Sequence, residues 1–318
     1  MSSRGGGDVS RDFRVRYAPD GTACTIEFFC FDTDNAVTLY DAGPQAEQLL
    51  LSCRELCLRE HLLLSPAIVG SDIYRVNMQA GPVRVAESTA ELLRAMLSFC
   101  ALEPGFDFTL GALSYAWKRA ERMPTDEELA HARAHVGADK LHVEGCTVTR
   151  DDDELLVDVG GSAKGHVADE LAAMLRARGV TCADIDLGGN LYFIGQHPDA
   201  RPWRLEVDLP EGLVDTAVMF EAHDCSVVTS SGFERSRVID GVLCHHIIDP
   251  NTGRPVESDI ASATVLGSSS LECDMLATTA VVAGTSGLGE LLARHPACSA
   301  IVVTADGRVM NRGVMRIS

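Results

Sequence analysis

Read as a succession of apolar and polar positions, the chain mixes short apolar runs with amphipathic segments and shows no regular strand–helix–strand rhythm. From Thr25 to Phe31 and from Ala36 to Tyr40, β-branched and aromatic residues predict two strands around a turn at Asp32-Thr33-Asp34-Asn35. Residues 44–61 place Leu49, Leu50, Leu56 and Leu58 among Glu, Gln and Arg, a helical spacing. Ser65 to Asn77 reads as a loop with a short helical turn, and 87–101 as a second helix with Leu92, Leu93, Met96, Leu97 and Phe99 on its apolar face. Phe106 to Trp117 is apolar and punctuated by glycine, and Pro124-Thr125-Asp126-Glu127-Glu128 opens a capped helix over 124–135. Strands are predicted at Lys140–Val143, Thr147–Thr149, Leu155–Val159, Val180–Leu187, Leu191–Ile194, 203–208, 214–220, Val227–Thr229 and Ala261–Leu266. Helices follow at 166–178, closed by Gly179, and at 271–283 and 286–294; residues 299–303 and 308–310 form a last hairpin. This order defines an α+β protein with mixed, mainly antiparallel sheets and packed helices.

Composition narrows the partners. The 318 residues carry 46 acidic and 27 basic side chains, a net charge of −19, which repels phosphate backbones and anionic lipid and argues against nucleic acid or a membrane surface as the main partner. An anionic ligand would then need a local cation or a helix N-terminus. The eleven cysteines are scattered without a Cys-x-x-Cys pair, as expected of reduced, mostly buried thiols. No run of 18 apolar residues occurs, so no membrane segment is expected. Residues 1–11, rich in Gly and Ser, read as a disordered tail before one domain over 12–318. With no apolar N-terminal run, a cytoplasmic location is expected, or an envelope-associated one if the start is truncated.

Three stretches could carry chemistry. In Cys244-His245-His246-Ile247-Ile248-Asp249-Pro250-Asn251-Thr252-Gly253, an apolar pair suggests a short buried strand that delivers imidazoles and a carboxylate to a tight turn, where Gly253 permits a positive φ. Asp158-Val159-Gly160-Gly161-Ser162-Ala163-Lys164-Gly165 ends a strand and opens a helix, so its backbone N–H groups and Lys164 could face an anion. It is neither a Walker A loop nor Gly-x-Gly-x-x-Gly. Asp274 and Thr278, four residues apart, share a helix face and offer oxygen donors to a hard cation such as Mg²⁺; alternatively Asp274 is simply an acid in the first helical turn. Asp151 to Glu154 reads as a solvated hairpin tip. Ser231 lacks a nucleophile elbow, and Ser162 with Lys164 lacks the Ser-x-x-Lys spacing.

Taken in order, these stretches resemble the ApbE-type flavin transferases, the FAD:protein FMN transferases, from about Phe31 to the C-terminus. The likeness is carried by Phe31-Asp32-Thr33, by "SDIYRVN" at 71–77, by "GFDFTLGAL" at 105–113 followed by Trp117, and by "VDVGGSAKGHVAD" at 157–169. It continues through "DLGGNLYFIG" at 186–195, "TSSGFER" at 229–235, "HHIIDPNTGRPV" at 245–256 and "CDMLATTA" at 273–280. The resemblance implies a T-fold-like architecture and an enzyme that cleaves FAD with Mg²⁺, or Mn²⁺, and joins FMN through a phosphoester to a Thr or Ser of an acceptor flavoprotein, releasing AMP. It places the metal on Asp274, Thr278 and the carbonyl of Gly161. FAD is expected around Gly105, Phe106 and Asp107, at Asp158 and Lys164, and near Ile248, with Asn77 facing the flavin site. His246 is the candidate base for the acceptor hydroxyl, with Asp249 fixing the turn beside it. Alternatives are an FAD pyrophosphatase on the same metal site and a non-catalytic FAD-binding protein. Ala67 stands where the family usually carries an aromatic residue against the flavin. Ala277 stands where many members have a second Asp, an absence that leaves the metal site intact.

Overall fold

The computed structural model describes residues 12–40, 43–207, 213, 218–231 and 236–313. The predicted disordered tail and the last four residues of the 229–235 motif lie outside that range. The first strands are β1 (Phe13–Tyr17), β2 (Ala23–Cys30) and β3 (Thr33–Tyr40), followed by α1 (Ala46–Leu64), α2 (Asp72–Met78), β4 (Val83–Arg84), α3 (Glu87–Leu102), α4 (Gly111–Arg119) and α5 (Asp126–Ala134). Next come β5 (Leu141–Glu144), β6 (Thr147–Arg150), α6 (Ala163–Ala177), β7 (Ala183–Leu187), β8 (Asn190–Ile194), β9 (Trp203–Glu206), β10 (Met219–Ala222) and β11 (Ser226–Ser231). The chain then forms β12 (Arg237–Ile239), β13 (Val242–Cys244), β14 (Ile260–Gly267), α7 (Ser270–Arg294), β15 (Ser299–Thr304) and β16 (Val309–Arg312).

Among the described residues, nine strands form one sheet in the order β1-β2-β3-β7-β8-β11-β14-β15-β16, and every neighbouring pair is antiparallel, the α+β arrangement the pattern predicts. Alternation fixes which side chains face inward: in β2, Cys24, Ile26, Phe28 and Cys30 are buried, and in β3, Val37 and Leu39. They pack with Leu50, Cys53 and Cys57 of α1 and Val167, Leu171 and Leu175 of α6. The interior strand β14 is buried at every position. α7 covers one face of it, and the other belongs to a cluster that includes Phe220 of β10 and Trp203 of β9. All eleven cysteines are free thiols.

α7 is apolar and long enough, by length and composition alone, to cross a membrane. Here it is the core helix of the sheet, kinked at Gly284 (φ 66°), which separates the two helical segments the pattern predicts at 271–283 and 286–294. Its N-terminus is held from α6: Asp169 accepts from the Ser269 hydroxyl and from the backbone N–H of Ser270 and Leu271 at 2.7–3.0 Å. Those orphan donors explain why a carboxylate is tolerated in a place where burial pushes its pKa up. Asp169→Ala should therefore cost about 2 kcal/mol of stability, read as a lower urea midpoint at unchanged m-value.

Local expectations fail in three places. The β2–β3 turn is tighter than predicted: Cys30 pairs with Thr33, leaving only Phe31 and Asp32, both at positive φ (54° and 58°), as a two-residue loop. Leu155 to Val159 alternates in burial like a strand but has only a bridge from Leu156 to Leu110. Its backbone is satisfied instead by Phe108 and by the side chain of Asn77, so the apolar pattern reported burial rather than pairing. Likewise Ile247 and Ile248 are buried, yet only Ile248 is paired, in a bridge to Pro255.

Candidate active site

The site begins where α6 and α7 cross. A Cβ on Gly165 would lie 2.6 Å from the Ser270 carbonyl oxygen and 2.8 Å from Leu271 Cα, so only glycine lets the helices approach this closely. The close approach brings the Gly165 N–H to 3.1 Å from Asp274 Oδ2, and Asn190 Nδ2 donates to the same oxygen at 3.1 Å. Asn190 is itself oriented by Ser270, whose hydroxyl donates to Asn190 Oδ1 at 2.6 Å. Asp274 is buried, and burial pushes its pKa up to about 7; Lys164 and the two hydrogen bonds offset this only in part. Thr278 follows one turn later on α7, with its hydroxyl 3.4 Å from the Asp274 carbonyl and 3.3 Å from Ser230 Oγ.

Asp274 and Lys164 line a cavity of about 180 Å³, walled by Gly188, Gly189 and Asn190 and by Leu205 and Phe220 of the β9–β10 hairpin. Lys164 Nζ donates to the Gly188 carbonyl at 3.0 Å. Gly188 itself sits at φ 61°, and Thr33 packs where a Cβ would be, which ties the β2–β3 turn to the cavity wall. Gly160 and Gly161 are exposed in the turn that leads into α6, and no atom lies within 4 Å of a Cβ placed on Gly161, so this backbone is open to a ligand. A buried carboxylate with a threonine hydroxyl one turn on and an open glycine turn nearby is an oxygen donor set suited to a hard divalent cation.

Asp158 stands at the head of the glycine turn. It accepts from the Gly160 N–H at 3.0 Å and is 3.5 Å from Lys118 Nζ. Lys118 also lines a second, smaller pocket of about 60 Å³ with Trp117, His245, His246 and Ile248, so Asp158 links the glycine turn to the His-Asp stretch. His246 is exposed and Ile248 buried, and burial pushes the pKa of His245 down. Asp249 closes an Asx turn: its carboxylate accepts from the Asn251 N–H at 2.8 Å and from the Thr252 hydroxyl at 3.2 Å. Gly253 has φ 69°, as the turn requires, and Trp117 Nε1 donates to its carbonyl at 2.9 Å.

Other predicted residues have positioning contacts. Both polar ends of the Asn77 amide are engaged with the backbone of Val157, at 2.8 and 2.9 Å, so Asn77 holds the segment that leads to the glycine turn. A Cβ on Gly105 would meet Thr279 and Val282 of α7 at ordinary contact distance, and Phe106 packs edge-on to Phe99 at 5.2 Å. Asp107 accepts from the Thr109 N–H and hydroxyl at 2.7 and 2.6 Å. Ala67 is exposed in the turn before α2. Four contacts escape sequence reasoning, namely Asn190 on Asp274, Gly188 on Lys164, Lys118 beside Asp158 and Ser230 beside Thr278. Three of these lie within stretches that carry the resemblance, but nothing local marks them as partners of residues far along the chain.

The fold and site have counterparts among solved structures. The flavin transferase ApbE from Vibrio cholerae superposes with a TM-score of 0.82 at 26% identity, covering 91% of this chain and 97% of that one. The flavinyl transferase ApbE from Pseudomonas stutzeri, in its apo form, superposes with a TM-score of 0.80 at 26% identity, covering 96% and 95%. In sequence, the FAD:protein FMN transferase of Vibrio cholerae is 33% identical over 249 residues, 74% of each chain. That of Treponema pallidum is 32% identical over 298 residues, 86% of this chain and 82% of the relative. The protein is thus an enzyme of the transferase class. The ApbE family profile matches residues 21–302, and the chain belongs to that family.

Proposed function

We propose that this protein cleaves FAD and transfers FMN to a Thr or Ser hydroxyl of an acceptor flavoprotein, with Mg²⁺ or Mn²⁺ held by Asp274, Thr278 and the Gly161 carbonyl. The observation that carries this reading is the buried Asp274 carboxylate, which shares a cavity with Lys164 and is compensated only in part by the groups around it. A bound divalent cation would neutralise charge on the pyrophosphate oxygens as the phosphoryl group transfers. Lys164, on the same cavity wall, supplies a fixed positive charge in a chain that is otherwise strongly acidic. The cavity is smaller than the ~300 Å³ at which sites usually begin to enclose a small molecule, so it suits the pyrophosphate while the two ring systems lie outside it.

In the proposed reaction the acceptor oxygen bonds to the FMN phosphorus and the bond from that phosphorus to the bridging oxygen breaks. AMP leaves with the bridging oxygen, and the hydroxyl proton passes to a base. His246, exposed at the edge of the Trp117–Ile248 pocket, is accessible to a macromolecular acceptor, and the Asx turn at Asp249 limits the motion of the segment that carries it. Asp158 and Lys118, the latter lining the same pocket as His246, orient the glycine turn.

The test is intact-mass spectrometry of an acceptor domain incubated with the protein, FAD and Mg²⁺. A gain of one FMN is expected, abolished by chelation with EDTA and restored by Mg²⁺ or Mn²⁺. His246→Ala should slow the gain by ~10²-fold or more without changing the metal requirement. Free FMN and AMP with an unmodified acceptor would identify a pyrophosphatase instead, and intact bound FAD a binding protein.

A further inference from the structure

Away from this site, on the other side of α6, three potential metal ligands converge between α1, α6 and the start of α3. Glu60 near the end of α1 is wholly buried, and His166 is 8% exposed. Glu170 lies one turn beyond His166 on the same face of α6, partly open to solvent. One donor atom from each of the three falls within 4.8 Å of the others. Among the described residues, His166 Nε2 is buried without a hydrogen-bond partner. Its distance to Glu170 Oε1, 3.6 Å, is too long for a hydrogen bond but close to the ~3.3 Å edge of a tetrahedron with bonds of about 2 Å.

We propose that Glu60, His166 and Glu170 form a second cation site, for a divalent transition metal of the Zn²⁺ class. An imidazole with two carboxylates favours such an ion over Mg²⁺, which prefers an all-oxygen shell. Three protein ligands leave one position for water, and the partly exposed Glu170 gives a path from solvent. Burial holds the His166 pKa down, which keeps its lone pair available near neutral pH. Burial and the nearby Glu60 carboxylate push Glu170 up to about 7, a repulsion that a metal would relieve.

The present counter-ion is Arg59, whose Nε is 2.8 Å from Glu60 Oε1 and whose guanidinium is 3.5 Å from Glu170 Oε2. The carboxylate oxygens Arg59 leaves are Glu170 Oε1, facing His166, and Glu60 Oε2, which accepts from the Ser88 hydroxyl at 3.0 Å. Arg59 is largely exposed, so its guanidinium can swing outward at little cost. It therefore acts as a competitor for the metal, which gives the proposal a signed test.

The experiment uses the full chain carrying Asp274→Ala, to remove the other proposed cation site, freed of metal and titrated with Co²⁺. One Co²⁺ per chain is expected, with visible ligand-field absorption, displaced by Zn²⁺ and lacking the near-ultraviolet charge-transfer absorption that thiolate ligation by any of the eleven cysteines would produce. His166→Gln and Glu170→Gln should each weaken binding by ~10-fold or more, and Arg59→Gln should tighten it several-fold. Should His166→Gln fail to fold by circular dichroism, Glu170→Gln decides alone. Absence of the visible absorption, unchanged binding in a folded His166→Gln or Glu170→Gln variant, or weaker binding in Arg59→Gln would each overturn the site. None of these readings depends on flavin transfer.

Discussion

Asp274→Ala should reduce FMN transfer by ~10³-fold or more while leaving the chain folded. The loss follows from removing the buried Asp274 carboxylate from the cavity that contains Lys164, since Thr278 and a carbonyl cannot replace its charge. Folding should survive because the substitution has two opposing effects. It strips the Gly165 N–H and the Asn190 amide of an acceptor, costing about 1–3 kcal/mol, but it also removes a carboxylate that burial already disfavours in its charged form. Asp274→Asn, which keeps an acceptor oxygen but no charge, should lose as much activity and less stability. The measurement is the mass gain of an acceptor domain with FAD and Mg²⁺, beside urea unfolding of each variant. An Ala variant that still flavinylates within ~10-fold of wild type would remove Asp274 from the metal site.

Gly165→Ala should destabilise the protein by about 1–3 kcal/mol and lower transfer, although helix propensity alone predicts a gain of up to ~1 kcal/mol for Ala in place of Gly. Sterics decide the sign. The added methyl would sit 2.6–2.9 Å from three backbone atoms of Ser270 and Leu271, and backbone inside a capped helix start cannot rotate away as a side chain would. The helices must separate, and the Gly165 N–H moves with α6 away from Asp274 Oδ2. Urea unfolding and the acceptor mass assay read the two effects. A variant at least as stable as wild type would show that the α6–α7 crossing has room for a methyl group.

Much of the architecture was legible from periodicity. The helices at α1, α3 and α5 and the strands of the main sheet other than β1 fall where apolar spacing predicts, and the Thr125–Glu128 capping box is present as its residues suggest. Two of the three failures share one cause. Leu155–Val159 and Ile247–Ile248 alternate or cluster as buried segments do, but whether a buried segment pairs as a strand depends on what lies beside it. For the first of these the neighbours were Phe108 and the Asn77 side chain. The short strands β1 and β12 carry mostly exposed residues and so leave little hydrophobic signal.

The same division runs through the site. Asp274 and Thr278 on one helix face, and the Asp249 turn with its Gly253, depend on residues a few positions apart, and helical or turn geometry makes such spacing readable. The Gly165–Asp274 contact spans 109 residues, and the Asn190–Asp274 contact 84. Nothing in the local chemistry of either partner records the other. By itself, then, the sequence determined element types, the strongly acidic surface and the residue kinds able to do the chemistry. Only the tertiary structure decided which of them meet. Close packing of α6 on α7 joins Gly165 to Asp274, and the packing of α1 with α6 sets Glu60 beside His166 and Glu170. Burial in these positions also sets their charge state, because desolvation depends on everything that surrounds a group and not on its neighbours in the chain.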